Sequence, residues 1–311
     1  MNTPIIMLKK ISQFKILPIL ICLFFTMGGF CQSASVIQED TSTFLMKEGI
    51  QRIKIISNLS DTKNEFIATL FTVEDTSLYN FGLISRKNFP DTFSFEGIEK
   101  MCAQDDKDLV LQVAGAFTPD WKVIEGYALE NGKSVGQDHF LGENKKISYR
   151  GLCLIKNGCP HITHLDNILD MQGLLEKARN FKWSLFQQVA AIIDGKRSND
   201  MVLPRSAKRR FLVEVKQGEK TKFGIISFIK ATLYEQAVNV LQEMSEMNLP
   251  VLDALYLDMG SVSEGYFYDR NNLKHLLGDK NNNMDRYTNM LIIYRKAKAD
   301  PGSQKSEKPQ D

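Results

Sequence analysis

Histidine is scarce in this chain, four in 311 residues, so each one can be weighed. None falls in an order that suggests a Ser-His-Asp relay, which removes nucleophilic serine catalysis from consideration. Cysteine is equally sparse. Of the five, Cys22 and Cys31 lie in an apolar N-terminal stretch, which leaves an odd set of Cys102, Cys153 and Cys159. That is no disulfide scaffold, so a hydrophobic core has to hold the fold. Net charge is only +2, from 39 basic and 37 acidic residues. No global field draws the chain to nucleic acid or to an anionic membrane, and no basic, aromatic-studded stripe reads as an RNA or DNA surface. The short run Lys208-Arg209-Arg210 reads as a solvated strand end. Beyond residue 30 no apolar run reaches membrane-spanning length, and there is no internal repeat.

What is present begins at the N-terminus. Lys9, Lys10 and Lys15 precede fifteen uncharged residues, "ILPILICLFFTMGGF" (16–30), and then the small and polar "CQSAS". A positive segment, an apolar segment and a cleavage zone are the marks of an export signal. The reading is a signal peptide over 1–33, cut near Ser33 to Ser35, and a secreted or periplasmic protein with no stable membrane span after cleavage. Lipoprotein anchoring on Cys31 is less favoured, because the bulky Phe30 precedes that cysteine. Residues 34–44 read as a flexible lead-in and 298–311, nearly devoid of apolar residues, as a disordered tail.

Between them, 45–297 reads as a single α+β domain, a mixed and largely antiparallel sheet flanked by helices. Strands are expected at 50–57, 65–75, 108–117, in the pair 208–228, at 251–258 and at 290–296, where β-branched and aromatic residues cluster or alternate. Phe95, Ile98, Met101 and Cys102 have helical spacing behind Ser94 as an N-cap. A second helix is expected from Asp166 to Phe186. A third opens at Thr232 with Glu235 as a capping box and carries an apolar face of Leu233, Ala237, Val240, Leu241 and Met244. Asn157-Gly158 predicts a type I′ hairpin over 150–163. Its register pairs Lys156 with Cys159, Leu154 with His161 and Cys153 with Ile162. Alternation then turns Cys153 away from Cys159 and His161, which weakens a zinc site and a disulfide alike. His139 and His275 fall in polar sequence that reads as loop.

Three segments carry chemistry together. In "VAGAFTPDW" (113–121) a buried strand ends in small residues and turns at Pro119-Asp120. In "LPRSA" (203–207) an arginine stands beside a proline bend. In "LDMGS" (257–261) an apolar strand stops on a carboxylate and then sheds its side chains. With "LENGK" (129–133) between the first two, their order resembles the phosphodiester glycosidase family, whose pattern has an "NGGFF"-like turn, a "DGK"-like hairpin, an "R-S/T-A" motif before a strand and an "LDGGGSS" loop. The resemblance covers about 50–270. It carries over Gly115, Phe117, Arg205, Ser206, Asp258, Gly260 and Ser261. It departs at Ala114, where the family has asparagine, at Ala116, at Thr118 and at Met259.

What the resemblance implies is an exported hydrolase that cleaves the glycosidic bond of a sugar-1-phosphodiester in a glycan or cell-surface polymer. A phosphodiester is permanently anionic, and Arg205 suits its nonbridging oxygens through a charge-assisted contact of roughly 1.5–3 kcal/mol. Bare amides at Gly260 and Ser261 suit the same anion. Asp258 is the expected general acid/base or charge stabiliser, with Asp120 or Glu125 as its partner in the loop after the first motif. Gly115, Phe117, Asp120, Ser206, Gly260 and Ser261 are the expected substrate contacts. No cofactor and no protein metal ligand is implied, and a divalent cation stays open. Ala114 supports an alternative, a catalytically weakened glycan- or anion-binding protein on the same fold, since loss of one preorganised donor costs on the order of 10²–10³ in rate.

Overall fold

The computed structural model describes residues 36–39, 46–58, 65–91, 93–118, 123–142, 147–200, 205–257, 263–280 and 286–295. Chain order runs β1 (Val36–Glu39), β2 (Ile50–Asn58), β3 (Glu65–Val73), β4 (Tyr79–Ser85), α1 (Phe95–Gln104), β5 (Asp108–Ala114) and β6 (Ile124–Glu130). Two short strands, β7 (Lys133–Ser134) and β8 (Gly136–Gln137), precede the hairpin of β9 (Gly151–Lys156) and β10 (Cys159–His164). A 3-10 turn at Leu165–Asn167 leads to α2 (Met171–Asn180), β11 (Ser184–Ile193) and β12 (Lys196–Arg197). Then come the hairpin β13 (Arg210–Gln217) and β14 (Lys220–Phe228), α3 (Tyr234–Glu243), β15 (Val251–Tyr256), β16 (Gly265–Tyr268), β17 (Lys274–Leu277) and β18 (Asn289–Arg295).

These strands make two sheets. One follows β1-β2-β3-β14-β13-β15-β11-β6-β7, with β8, β9, β10 and β12 joined to its side. The other has five strands in the order β17-β16-β5-β18-β4. The α+β expectation is therefore corrected. The described chain is mainly β, two antiparallel sheets and three ten-residue helices, with β6 and β8 making the one parallel contact among the described strands. The cause is legible in the missed strands: "YNFGLIS", "IEGYALE", "GYFY" and "KHLL" carry glycine, charge or histidine within the run. That breaks the apolar alternation on which a strand reading depends.

The main core lies between the sheets. Phe71, Leu212, Ile225 and Leu255 of the large sheet meet Phe81, Leu83, Val113, Phe267 and Leu291 of the small one. The other faces are covered by helices. The outer face of the large sheet carries Phe211, Val213 and Ile226 under Tyr234, Ala237, Val238 and Leu241 of α3. Phe95, Ile98 and Cys102 of α1 pack on Leu109 and Ile292 of the small sheet.

Several local expectations hold in detail. Ser94 accepts a hydrogen bond from Gly97 N at 2.8 Å and caps α1. The β9–β10 hairpin has the expected register, Lys156 with Cys159 and Cys153 with Ile162, across Asn157 (φ 51°) and Gly158 (φ 81°). Both central residues take the left-handed conformation that a type I′ turn requires. Cys153 is buried and His161 exposed, and none of the three described cysteines is in a disulfide.

Others are corrected. The second helix ends at Asn180 rather than Phe186. Lys182 turns left-handed (φ 55°), and Trp183 N reaches back to Ala178 O, closing the helix so that Phe186 joins β11. The third helix starts one residue later than expected. Thr232 is already bonded to Ala207 in both directions, so Leu233 takes the cap position, and Gln236 rather than Glu235 reaches back to its amide. Leu233 itself is exposed. His275 stands in β17 rather than in a loop, and Glu125 in β6. Within the stretch read as a lead-in, Val36–Glu39 pairs with β2. The signal segment and the C-terminal tail lie outside the described residues.

Candidate functional site at the strand ends

Two of the three chemical segments, and the strand that leads into the third, run to one end of the double sheet. β5 delivers the first at Ala114. β13 begins just after the second, and β15 ends just before Asp258. Leu257 N donates to Arg210 O at 2.9 Å, which keeps β15 in register with β13 up to the residue before that carboxylate. Asp120, Asp258, Gly260 and Ser261 lie outside the described residues. Gly115, Phe117, Arg205 and Ser206 are described, and their surroundings can be built up directly.

Gly115 is placed by a clamp. Asn289, at the start of β18, accepts from Ala116 N through Oδ1 at 2.7 Å and donates to Ala116 O through Nδ2 at 2.9 Å. A Cβ on Gly115 would overlap that same Oδ1. Glycine is needed for close approach, not for a left-handed φ. The segment then leads to Phe117, half-buried, whose ring packs on Tyr256 at 5.2 Å and on Tyr149 at 6.0 Å between centroids. Both contacts are edge-on, the preferred arrangement for aromatic quadrupoles.

Tyr256 links this wall to the second segment. Arg209 lies over its ring at 5.2 Å and donates through Nη1 to its hydroxyl. Through Nη2 the same guanidinium donates to the carbonyl of Arg205, and through Nε to Thr232 O at 3.0 Å. Arg209 thus fixes the backbone from which the exposed Arg205 and Ser206 side chains project. The expectation of a solvated run at 208–210 is overturned here: Arg209 is 1% and Arg210 0% exposed. Alternation from Arg209 into β13 sends Arg209 to the outer face with Phe211 and Arg210 to the inner face with Leu212.

Sequence reasoning missed three groups beside this wall. Tyr149 donates its hydroxyl to Glu125 Oε2 at 2.5 Å, so a half-buried carboxylate is fixed next to Phe117, whose carbonyl also accepts from Glu125 N. Gln187, buried in β11, donates to the carbonyls of Leu141 and Tyr149 and holds that segment in place. Asp200 accepts from Ala190 N at 2.9 Å and Arg150 N at 3.3 Å, with Arg150 Nε at 3.5 Å and His164 Nε2 at 3.8 Å. Burial raises its carboxyl above the usual range against those partners. No sequence motif marks any of the three. They are assembled by the β9–β11–β6 pairing.

No protein-family model matches the chain, and a search of curated proteins finds no match. Among solved structures, the fold has a similarity to the zebrafish N-acetylglucosamine-1-phosphodiester alpha-N-acetylglucosaminidase catalytic domain auto-inhibited by pro-peptide. The TM-score is 0.46 with 14% sequence identity, over 84% of this chain and 88% of that one. A hypothetical protein from Synechocystis aligns with TM-score 0.45 and 11% identity, over 80% of this chain and 63% of the other. At such values the likeness is distant.

Proposed function

We propose that the protein is an exported hydrolase that cleaves the glycosidic bond of a sugar-1-phosphodiester, with its active site at the strand ends. The observation that carries this reading is the physical link between the segments: Phe117 on Tyr256, Tyr256 on Arg209, and Arg209 on the Arg205 carbonyl. The order of motifs along the chain anticipates such a link without requiring it.

In this reading the half-buried ring of Phe117, backed by the buried Tyr256, lies beside the sugar, and Arg205 holds the nonbridging phosphate oxygens. Water attacks the anomeric carbon as the C–O bond to phosphate breaks. The sugar gains the hydroxyl, and the phosphate monoester leaves with the bonding electron pair. A phosphate leaving group needs charge stabilisation more than a proton, so the guanidinium is the dominant contributor. Asp258 accepts the proton of the attacking water, and Glu125, held by Tyr149, stabilises positive charge on the ring carbon. Amides at Gly260 and Ser261 complete the anion contacts.

One observation favours a second reading, a secreted binding protein on the same fold. Position 114, which is asparagine in the resembled pattern, is a buried alanine packed among Ile84, Tyr287 and Met290, with no polar group to offer. The two readings separate in one assay. The mature protein is incubated with UDP-N-acetylglucosamine, and free sugar is measured. The enzyme reading expects turnover that falls by about 10²–10³-fold in Arg205→Ala and Asp258→Asn, with unchanged thermal midpoints. Saturable binding without sugar release selects the second reading. Neither binding nor release, across a panel of sugar-1-phosphodiesters, overturns both.

A further inference from the structure

On the inner face of the large sheet, away from the aromatic wall, the inter-sheet core gives way to a row of polar residues. Arg210 on β13 pairs with Ser227 on β14, which pairs with Thr69 on β3. Arg52 stands next to this row on β2, paired with Phe71. Opposite them the small sheet presents β16 and β17, and the space between is a cavity of about 520 Å³. That is the size of a small-molecule site rather than of a packing defect.

The charge in this cavity is one-sided. Arg52, Lys208, Arg210, Lys274 and His275 line it, and no carboxylate does among the described residues. Acidic partners stand back from the lining: Asp279 lies 2.6 Å from Lys208, Glu99 2.6 Å from Lys274, and Asp269 3.0 Å from the His275 ring. Arg52 lies over Phe267 at 5.4 Å. Arg210 differs from the other four. It is fully buried, its Nε donates to Ser227 Oγ and its Nη2 to Ser263 O, each at 2.9 Å, and its Nη1 has no hydrogen-bond partner among the described residues. Both acceptors are neutral, so they aim the guanidinium without compensating it. Burial lowers its pKa to about 10, which leaves it charged at neutral pH. With no counter-ion among the described residues, this buried cation costs several kcal/mol, a cost that an arriving anion removes.

We propose that this cavity binds a small organic oxyanion, a phosphate monoester by class, with the anion on Arg210 and the carbon skeleton against Phe228, Phe267 and Leu277. The planar guanidinium offers its open N–H to one oxyanion oxygen, and Arg52 and Lys274 supply the remaining charge. The apolar lining explains why the space exceeds what a bare phosphate fills. This site is argued from its own lining on the inner face of the sheet and does not depend on the hydrolase reading, whose phosphate contact is Arg205 rather than Arg210.

The test is calorimetry and thermal shift with inorganic phosphate and with phenyl phosphate, against sodium chloride at matched ionic strength. The proposal expects saturable binding of both anions, phenyl phosphate the tighter, and a midpoint rise absent in chloride. Arg210→Met removes the uncompensated charge, so it folds at least as stably without anion and loses the phosphate response. Arg52→Gln weakens binding by about ten- to a hundred-fold, the loss of one charge-assisted contact. If Arg210→Met fails to fold, Arg52→Gln decides. Equal midpoints in phosphate and chloride overturn the proposal. So does a response kept in both variants but lost in Arg205→Ala, which moves the anion to the strand ends.

Discussion

At the scale of single residues, the strand-end face depends on side chains that fix other groups rather than on those that meet solvent. Asn289 is the clearest case. It satisfies both backbone groups of Ala116 and occupies the space that Gly115 leaves. Removing it orphans a buried donor and a buried acceptor, each of which costs about 1–3 kcal/mol. Asn289→Ala is accordingly expected to lower the urea midpoint with an unchanged slope, and an unshifted midpoint would show that the clamp is dispensable. Arg209 plays the same part on the other side of the site, with a ring, a hydroxyl and two carbonyls around one guanidinium. Neither residue announces this in the sequence. Asn289 lies far from Gly115 along the chain, and "KRR" looks like any basic strand end. Yet the alternation Arg209-Phe211-Val213 against Arg210-Leu212 was readable, and it implied that two arginines follow buried faces. Only the pairing partners that bury them were out of reach.

Elements were legible in proportion to how local their causes are. The Asn157-Gly158 turn and the Ser94 cap depend on a few adjacent residues, and the structure has both as expected. The Asp166–Phe186 helix and the Thr232 cap failed because their limits are set by Trp183 and by the Ala207 bridge. The β13–β15 pair shows what cross-strand contact adds. Glu214 sits opposite Asp253, and both are half-buried carboxylates. Burial first, and then its neighbour, raises Glu214 to about 7, while burial raises Asp253 to about 6. A carboxyl with a raised folded pKa binds its proton more readily folded than unfolded, so stability falls as pH rises. The window runs from the ordinary carboxylate range near 4 to about 7. Glu214→Gln removes one of the two charges. Its stability relative to the parent is expected to improve steadily from pH 4 to pH 7 in urea titrations and to level off above. A difference that stays constant across that range would contradict the assignment.

At the scale of the whole molecule, two facing sheets replace the single helix-flanked sheet that composition and periodicity suggested. The extra sheet arises from strands too short or too polar to read locally, β16 and β17 above all. These same strands form one wall of the anion cavity, so the feature least visible in the sequence is the one that creates it. The strand-end face is the opposite case. Its segments stood out through small residues after apolar runs, while Tyr149, Gln187 and Asp200, which support them, did not. The central claim is that residues near 115, 205 and 257 form one site for a sugar phosphodiester. Amide hydrogen exchange, with and without UDP-N-acetylglucosamine, tests it most directly. Added ligand is expected to slow exchange together at 114–118, 205–210 and 255–257, with 274–278 unchanged. Protection confined to 274–278, or absent from all three segments, would contradict the claim.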